Sequence, residues 1–117
     1  MAFMDGFVFA VPTANKQAYL DMAKTIDALF MEHGALQITE GWGVDVPEGK
    51  ITSFPMAVKC EPDETVVFSW IKWPSKEFRD AAWAELMKNP LMQPGSAPQP
   101  FDGKRMIFGG FETILEL

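Results

Sequence analysis

The chain has 117 residues, of which 48% are hydrophobic and 22% are charged, a composition typical of a globular domain. It has no run of about 18 apolar residues, which a membrane span requires, and its single cysteine rules out an internal disulfide. The formal charge of −6 disfavours nucleic-acid binding, because such binding draws most of its affinity from Lys and Arg on phosphates. The N-terminal segment lacks the basic residues of a signal peptide, so we expect residues 1–117 to form one cytoplasmic domain.

The first half of the chain predicts a strand, a helix and a second strand. Residues 3–11 alternate as a strand does, with apolar side chains on both faces. Apolar residues then recur at three- and four-residue steps through residues 13–33, which predicts an amphipathic helix ended by Gly34. The helix positions predicted to face water are Lys16, Asp21, Lys24 and Asp27. A second strand is predicted at residues 35–42, followed by an irregular excursion at residues 43–49.

The second half begins with a predicted strand pair. Residues 56–60 are expected to be extended and to pair, through a turn at residues 61–64, with a strand at residues 65–73. That strand is the clearest in the chain, because both of its faces are apolar up to Lys72.

A second helix and a last strand complete the pattern. Ser75 is suited to cap a helix that extends to about residue 88. The proline-rich residues 90–101 predict a loop, and a final strand is predicted at about residues 105–115. The order β-α-β-β-α-β predicts an α+β domain with an antiparallel sheet, and right-handed crossovers place both helices on one face of it.

This arrangement leaves the second face of the sheet without a helix. The first and third strands nevertheless place large apolar side chains on both faces, and an exposed apolar patch of that size is rare on a soluble monomer. A second copy packed sheet to sheet is the economical cover. We therefore expect a homodimer.

Several short segments, spread over almost the whole chain, resemble those of one bacterial family in the same order. They are Asp5-Gly6-Phe7-Val8, His33-Gly34-Ala35-Leu36, Gly49-Lys50, Thr52-Ser53-Phe54-Pro55, Glu64 to Ile71, Pro74-Ser75, Arg79-Asp80 and Pro100-Phe101-Asp102-Gly103-Lys104-Arg105-Met106-Ile107. In these segments the chain is similar to the YbaA-like family. The resemblance implies a ferredoxin-like dimeric α/β barrel and no particular activity. Val44 stands where an acid is common and Trp73 where a tyrosine is common, so a site that uses that acid or that hydroxyl is not implied.

The candidate catalytic residues are His33, Arg79 and Asp80. His33, the only histidine, falls in the last turn of the first helix, where the helix dipole favours its protonated form. It is either a general base or a packing residue that satisfies nearby carbonyls. Arg79 could meet Arg105 around a carboxylate or phosphate, since a guanidinium offers a planar fork to such anions; the alternative is that each arginine pairs with a nearby carboxylate.

The candidate ligand-binding residues come from the aromatic strands and the excursion loop. They are Trp70, Ser69, Trp42, Phe54 and Arg105. Such a set could line a pocket for a small apolar or aromatic molecule, or it could be plain core packing. No cofactor is expected, and no metal either, because one His and one Cys give no ligand spacing.

Two functional hypotheses follow from the sequence. The first is a small-molecule enzyme or binding protein that works without a metal, for example a cofactor-independent oxygenase or isomerase with a pocket beside Trp70. The second is a non-catalytic dimeric module whose loop at residues 90–101 meets a protein partner. A third reading, association with RNA, is disfavoured by the acidic charge.

Overall fold

The computed structural model describes residues 2–95 and 99–117, so part of the predicted loop, residues 96–98, lies outside the described residues. Four strands and two long helices follow the predicted order. The elements are β1 (Phe3–Pro12), α1 (Lys16–Glu32), β2 (Gln37–Trp42), α2 (Phe54–Ala57), β3 (Glu64–Trp73), α3 (Lys76–Leu86) and β4 (Ile107–Glu112). The sheet order is β2-β3-β1-β4, and each neighbouring pair is antiparallel. The predicted α+β fold is confirmed.

Both long helices cover the same face of the sheet. Alternation along a strand sends successive side chains to opposite faces, and the odd-numbered residues of β1 and β3 point to the helices. Two buried clusters fill the space there. The first cluster consists of Phe3, Phe30, Ala35, Ile71, Trp73, Ala82 and Leu86. The second consists of Phe9, Val11, Tyr19, Ala23 and Val67. We call the opposite side the open face.

The strand register fixes which side chains lie on the open face. Gly6 is opposite both Trp70 of β3 and Gly109 of β4, and Val8 is opposite Phe68. The core therefore sits between the sheet and the two long helices, while Phe68 and Trp70 of β3 project from the open face.

The prediction that residues 56–60 form a strand was wrong, because local capping favours a helical turn. Ser53 Oγ accepts a hydrogen bond from the Met56 backbone N–H at 3.1 Å, and Pro55 occupies the first turn of α2. The following segment buries Val58 completely against the open face, beside Ala10 and Val66. One end of the open face is thus covered by its own chain.

The last strand is shorter than predicted at both ends. Residues 103–105 form a 3₁₀ turn capped by the Asp102 carboxylate, which accepts the Lys104 backbone N–H at 3.0 Å. After Glu112 one further backbone bond follows, from Thr113 N–H to the carbonyl of Ala2 at 3.0 Å. Within the described residues, no helix is both long and apolar enough to cross a membrane.

Candidate functional site

The open face carries an apolar groove of about 530 Å³. Its floor is the pair of facing glycines Gly6 and Gly109, and the Phe111 ring lies over both of them, within 3.6 Å of the position a Cβ would take. Its side-chain walls include Met4, Val8, Phe68, Trp70, Ile107 and Phe111. The groove is open to solvent, with Phe68 47% and Phe111 58% exposed. Such a surface offers shape and apolar contact but little hydrogen bonding.

One rim of the groove is formed by aromatic rings from two elements. Phe54, held in place by the capped turn of α2, meets Phe68 edge to face with ring centroids 6.0 Å apart. At the opposite end of the same face, Lys72 forms an ion pair with Glu116. The open face is therefore apolar in its middle, and at this end the charge of Lys72 is neutralised by Glu116.

A buried charged cluster lies on the helix side of the same strands. Asp5 is 2% exposed and accepts hydrogen bonds from the indole N–H groups of Trp73 at 3.0 Å and Trp83 at 2.8 Å. The Arg79 guanidinium donates to both oxygens of the same carboxylate. The hydrogen bonds to Asp5 are the main reason that the pKa of Arg79 is raised above its usual value. With every partner satisfied, this cluster joins β1, β3 and α3.

A second polar cluster joins α1 to β2. The Tyr19 hydroxyl donates to Glu40 Oε1 at 2.6 Å, and Asp27 also hydrogen-bonds to Glu40. Burial, followed by the hydrogen bond and the charge of Glu40, raises the pKa of Asp27 to about 8. Burial likewise raises the pKa of the Tyr19 phenol far above its ordinary value. The raised pKa of Asp27 favours its protonated form at neutral pH, so that Asp27 and the Tyr19 hydroxyl both donate to the Glu40 side chain.

Comparison with known proteins now places the chain. A family described as a protein of unknown function, DUF1428, matches residues 2–103. The chain belongs to this family. The uncharacterized protein YbaA of Escherichia coli strain K12 and that of Shigella flexneri are each 56% identical to it over 116 residues, which is 99% of either chain. The resemblance to the YbaA-like family is thus confirmed.

A solved structure shows the same fold. A dimeric ferredoxin-like protein from an uncultured marine organism superposes with a TM-score of 0.62, covering 99% of this chain and 98% of its own, at 9% sequence identity. At that identity the likeness concerns the fold alone, and it confirms the ferredoxin-like prediction.

The predicted ligand-binding residues are divided between the two faces. Trp70 lines the groove, and Phe54 reaches the same face through its contact with Phe68. Ser69 is buried on the helix side, and Trp42 packs there under the Lys16 ammonium, 5.3 Å from its ring. The set is therefore not one pocket.

The predicted polar candidates are held in separate places. His33 caps α1, with Nδ1 3.0 Å from the carbonyl of Leu29. Arg105 donates two hydrogen bonds to the Glu64 carboxylate, each at 2.7 Å. This ion pair is far from the Arg79 cluster, because Glu64 and Asp5 lie near opposite ends of the paired strands β1 and β3. Asp80 is an exposed partner of Arg79. The two arginines do not share an anion site; each is ion-paired.

Three residues of the groove and the two polar clusters were not predicted from the sequence as site residues. Asp5 is the only charged residue in an otherwise apolar strand, a signal that could have marked it as buried and paired. Asp27 was predicted to face water, and this was wrong because its carboxyl group is partly buried and hydrogen-bonds to Glu40 of the neighbouring strand. Phe111, at the end of the last strand, carries no local signal that would place it over the glycine pair. No group of three His, Cys, Asp or Glu side chains among the described residues could hold a metal ion.

Proposed function

We propose that the chain works in the cytoplasm as a homodimer packed through its open face, and that it binds a small apolar or aromatic molecule in the groove without a metal. The observation that carries the proposal is the groove itself, an apolar concavity in the middle of a sheet face that neither long helix covers. Its size falls within the range of about 300–1,000 Å³ typical of small-molecule sites.

The dimer is supported by what the open face would otherwise expose. Phe68 of β3 and Ile107 and Phe111 of β4 are each between 46% and 58% exposed, on the two strands that flank β1. Apolar patches of this kind mark interaction sites. The chain carries a net charge of −6, so repulsion between two copies opposes their association, and the burial of apolar surface in the contact has to outweigh it. The marine protein of the same fold is described as dimeric, which supports a homodimer.

The ligand class is supported by the chemistry of the lining. Trp70 and the rings of Phe68 and Phe111 offer flat apolar surfaces for stacking. Glycine at both floor positions leaves room that any side chain would occupy, although Phe111 already lies over part of it. An uncharged aromatic compound therefore suits the groove better than a sugar or a nucleotide, which would leave polar groups unpaired.

The alternative function is a non-catalytic dimeric module, and the position of Phe111 favours it. The Phe111 ring already fills part of the groove. If side chains of the second copy fill the rest, the groove is part of the dimer interface and holds no ligand. In that case dimer formation persists and ligand binding is absent.

The dimer is tested by sedimentation velocity on the full chain at micromolar concentration. We expect a 26 kDa particle, twice the 13.1 kDa chain, and a shift to monomer in Phe68→Asp. Met31→Asp is the matched control, since Met31 is 46% exposed on α1, away from the groove. A full chain that sediments as a monomer would show that the proposed dimer is wrong.

Ligand binding is tested by titrating 2-naphthol, a neutral aromatic probe, by calorimetry. We expect saturable binding that weakens about tenfold or more in Trp70→Ala, in line with the loss of a central aromatic contact. Trp42→Ala, on the helix side, should leave the affinity unchanged. A dimer that binds no probe, or binds it equally well in Trp70→Ala, would favour the interface alternative.

A further inference from the structure

The end of the chain is an apolar segment that its own protomer leaves uncovered. We call residues 113–117 the C-terminal arm. Ile114 is 85% and Leu115 is 73% exposed, and Leu117 is wholly exposed. Burial of these three aliphatic side chains, which lie within four residues, would be favourable. An arm of this composition is suited to pack against another apolar surface.

The base of the arm is also incomplete in the single protomer. The Thr113 backbone N–H bonds to Ala2, but the buried Thr113 Oγ1 has no hydrogen-bond partner among the described residues. An unpaired buried hydroxyl is unfavourable, so the packing of the single protomer leaves the base of the arm unsatisfied.

An ion pair holds the arm beside the groove. Glu116 pairs with Lys72, and Lys72 is opposite Met4, one of the residues that line the groove. The arm therefore leaves β4, passes the start of β1 and reaches β3 on the open-face side. The pair also neutralises a lysine that would otherwise be buried unpaired in a sheet-to-sheet contact, which is costly.

We propose that the C-terminal arm of each protomer packs its aliphatic side chains onto the open face of a second copy and closes one end of the partner's groove. This proposal rests on the homodimer proposed above. The second copy is the occupant because the arm is fixed at the edge of the very face that the dimer buries, and because both surfaces are apolar. Two-fold symmetry then makes the contact reciprocal, so that each groove is completed by residues of the other chain.

The first test removes the arm and measures dimerisation. The variants are a chain ending at Thr113 and the full-length triple variant Ile114→Ser, Leu115→Ser, Leu117→Ser. We expect the dimer dissociation constant, from sedimentation velocity over a concentration series, to rise about tenfold or more in both, with unchanged far-UV circular dichroism. The matched control is Met31→Ser, Leu36→Ser, Met87→Ser, three exposed apolar residues, of which Met31 lies in α1, Leu36 follows that helix and Met87 ends α3. This control should leave the constant unchanged.

The second test locates the arm directly. A photo-crosslinking benzoylphenylalanine replaces Leu115 in a mixture of ¹⁵N-labelled and unlabelled chains, and mass spectrometry identifies the joined peptides. We expect crosslinks between differently labelled chains that map to β1, β3 or β4.

The outcomes separate this proposal from the one on which it rests. An unchanged dissociation constant in the truncated chain, or crosslinks confined to a single chain, would overturn the arm contact while the homodimer stands. A full-length chain that is monomeric would overturn the homodimer and the arm contact together.

Discussion

Asp5 and Arg79 form an ion pair between the first strand and the last long helix, 74 residues apart in sequence. The carboxylate is nearly inaccessible to solvent and also accepts two indole N–H groups, from Trp73 and Trp83. The guanidinium lies over the Phe3 ring, 5.2 Å from its centroid. One carboxylate thus orients three donors in the layer between sheet and helices.

We predict that Asp5→Ala lowers the free energy of unfolding by about 3–5 kcal/mol, because it leaves the arginine and two indole groups without their acceptor. Urea denaturation at pH 7, followed by circular dichroism, measures the change. Asp80→Ala is the control: it removes the other carboxylate bound to Arg79, but at an exposed position, so its effect should be far smaller. Equal losses in the two variants would show that the buried network has no special role.

The pair formed by Asp27 and Glu40 predicts a stability that falls as the pH rises. The pKa of Asp27 is about 8 in the folded chain and 3.8 ordinarily, so the folded state binds one more proton than the unfolded state between these values. The contribution of Asp27 to the free energy of unfolding is therefore fully present below about pH 4 and decreases as the pH rises towards 8. Above pH 8 it changes little. The slope should stay under the one-proton limit of about 1.4 kcal/mol per pH unit, since the site is only half-buried and partly screened.

Asp27→Asn tests this directly. The amide can still donate to Glu40 but does not ionise, so the variant should be more stable than the parent at pH 8.5 and similar to it at pH 5, by urea denaturation. Asp21→Asn, on an exposed turn of the same helix, should leave the pH profile unchanged. If the free energy of unfolding falls by the same amount between pH 5 and 8 in the parent and in both variants, the proton assigned to Asp27 is not the cause.

The backbone at Gly34 predicts a third stability effect. Its φ of +100° lies in the left-handed region, and a Cβ there would approach the Phe78 ring to 2.5 Å. Gly34→Ala should therefore lower the free energy of unfolding by about 1–2 kcal/mol or more. Gly103→Ala, where no atom lies within 4 Å of the added carbon, should be nearly neutral. Thermal unfolding of both variants measures the difference, and equal melting temperatures would contradict it.

Much of the fold could be read from local patterns, because its main elements are bounded by strong signals. β1 and β3 are apolar runs that end at Pro12 and before Pro74, and α3 begins at a serine cap as expected. The segment at residues 54–60 failed for the opposite reason. Its apolar residues looked like a strand, but Ser53 and Pro55 favour a helical turn and Val58 packs on the open face.

The candidate site was less accessible to sequence because it depends on which face the helices cover. Alternation separates Trp70 from Ser69, but only the crossovers decide that Trp70 faces the groove and Ser69 the core. In the same way, the carboxyl pair of α1 and β2 requires a helix turn and a strand position to meet across the layer. The spacing of Asp27 and Glu40 in the sequence does not predict this contact.

The pairing of Arg105 with Glu64 predicts a stability effect of opposite pH dependence. The hydrogen bonds from Arg105 are the main reason that the pKa of Glu64 is lowered, so the folded state holds this carboxylate ionised where the unfolded state takes up a proton. The stabilisation is present above the ordinary pKa of 4.5 and is lost as the pH falls through the lower, folded value.

Arg105→Ala should therefore lower the urea midpoint at pH 7 and make less difference at pH 3, where the carboxylate is becoming protonated in either variant. The same guanidinium also donates to the Lys59 carbonyl at 2.7 Å, so Glu64→Gln, which keeps that bond, separates the two contributions. If the pair is responsible, adding Arg105→Ala to Glu64→Gln costs less at pH 7 than adding it to the parent. Equal losses in the two backgrounds would assign the effect to the other acceptors of the guanidinium, the Lys59 carbonyl and the Asp102 carboxylate.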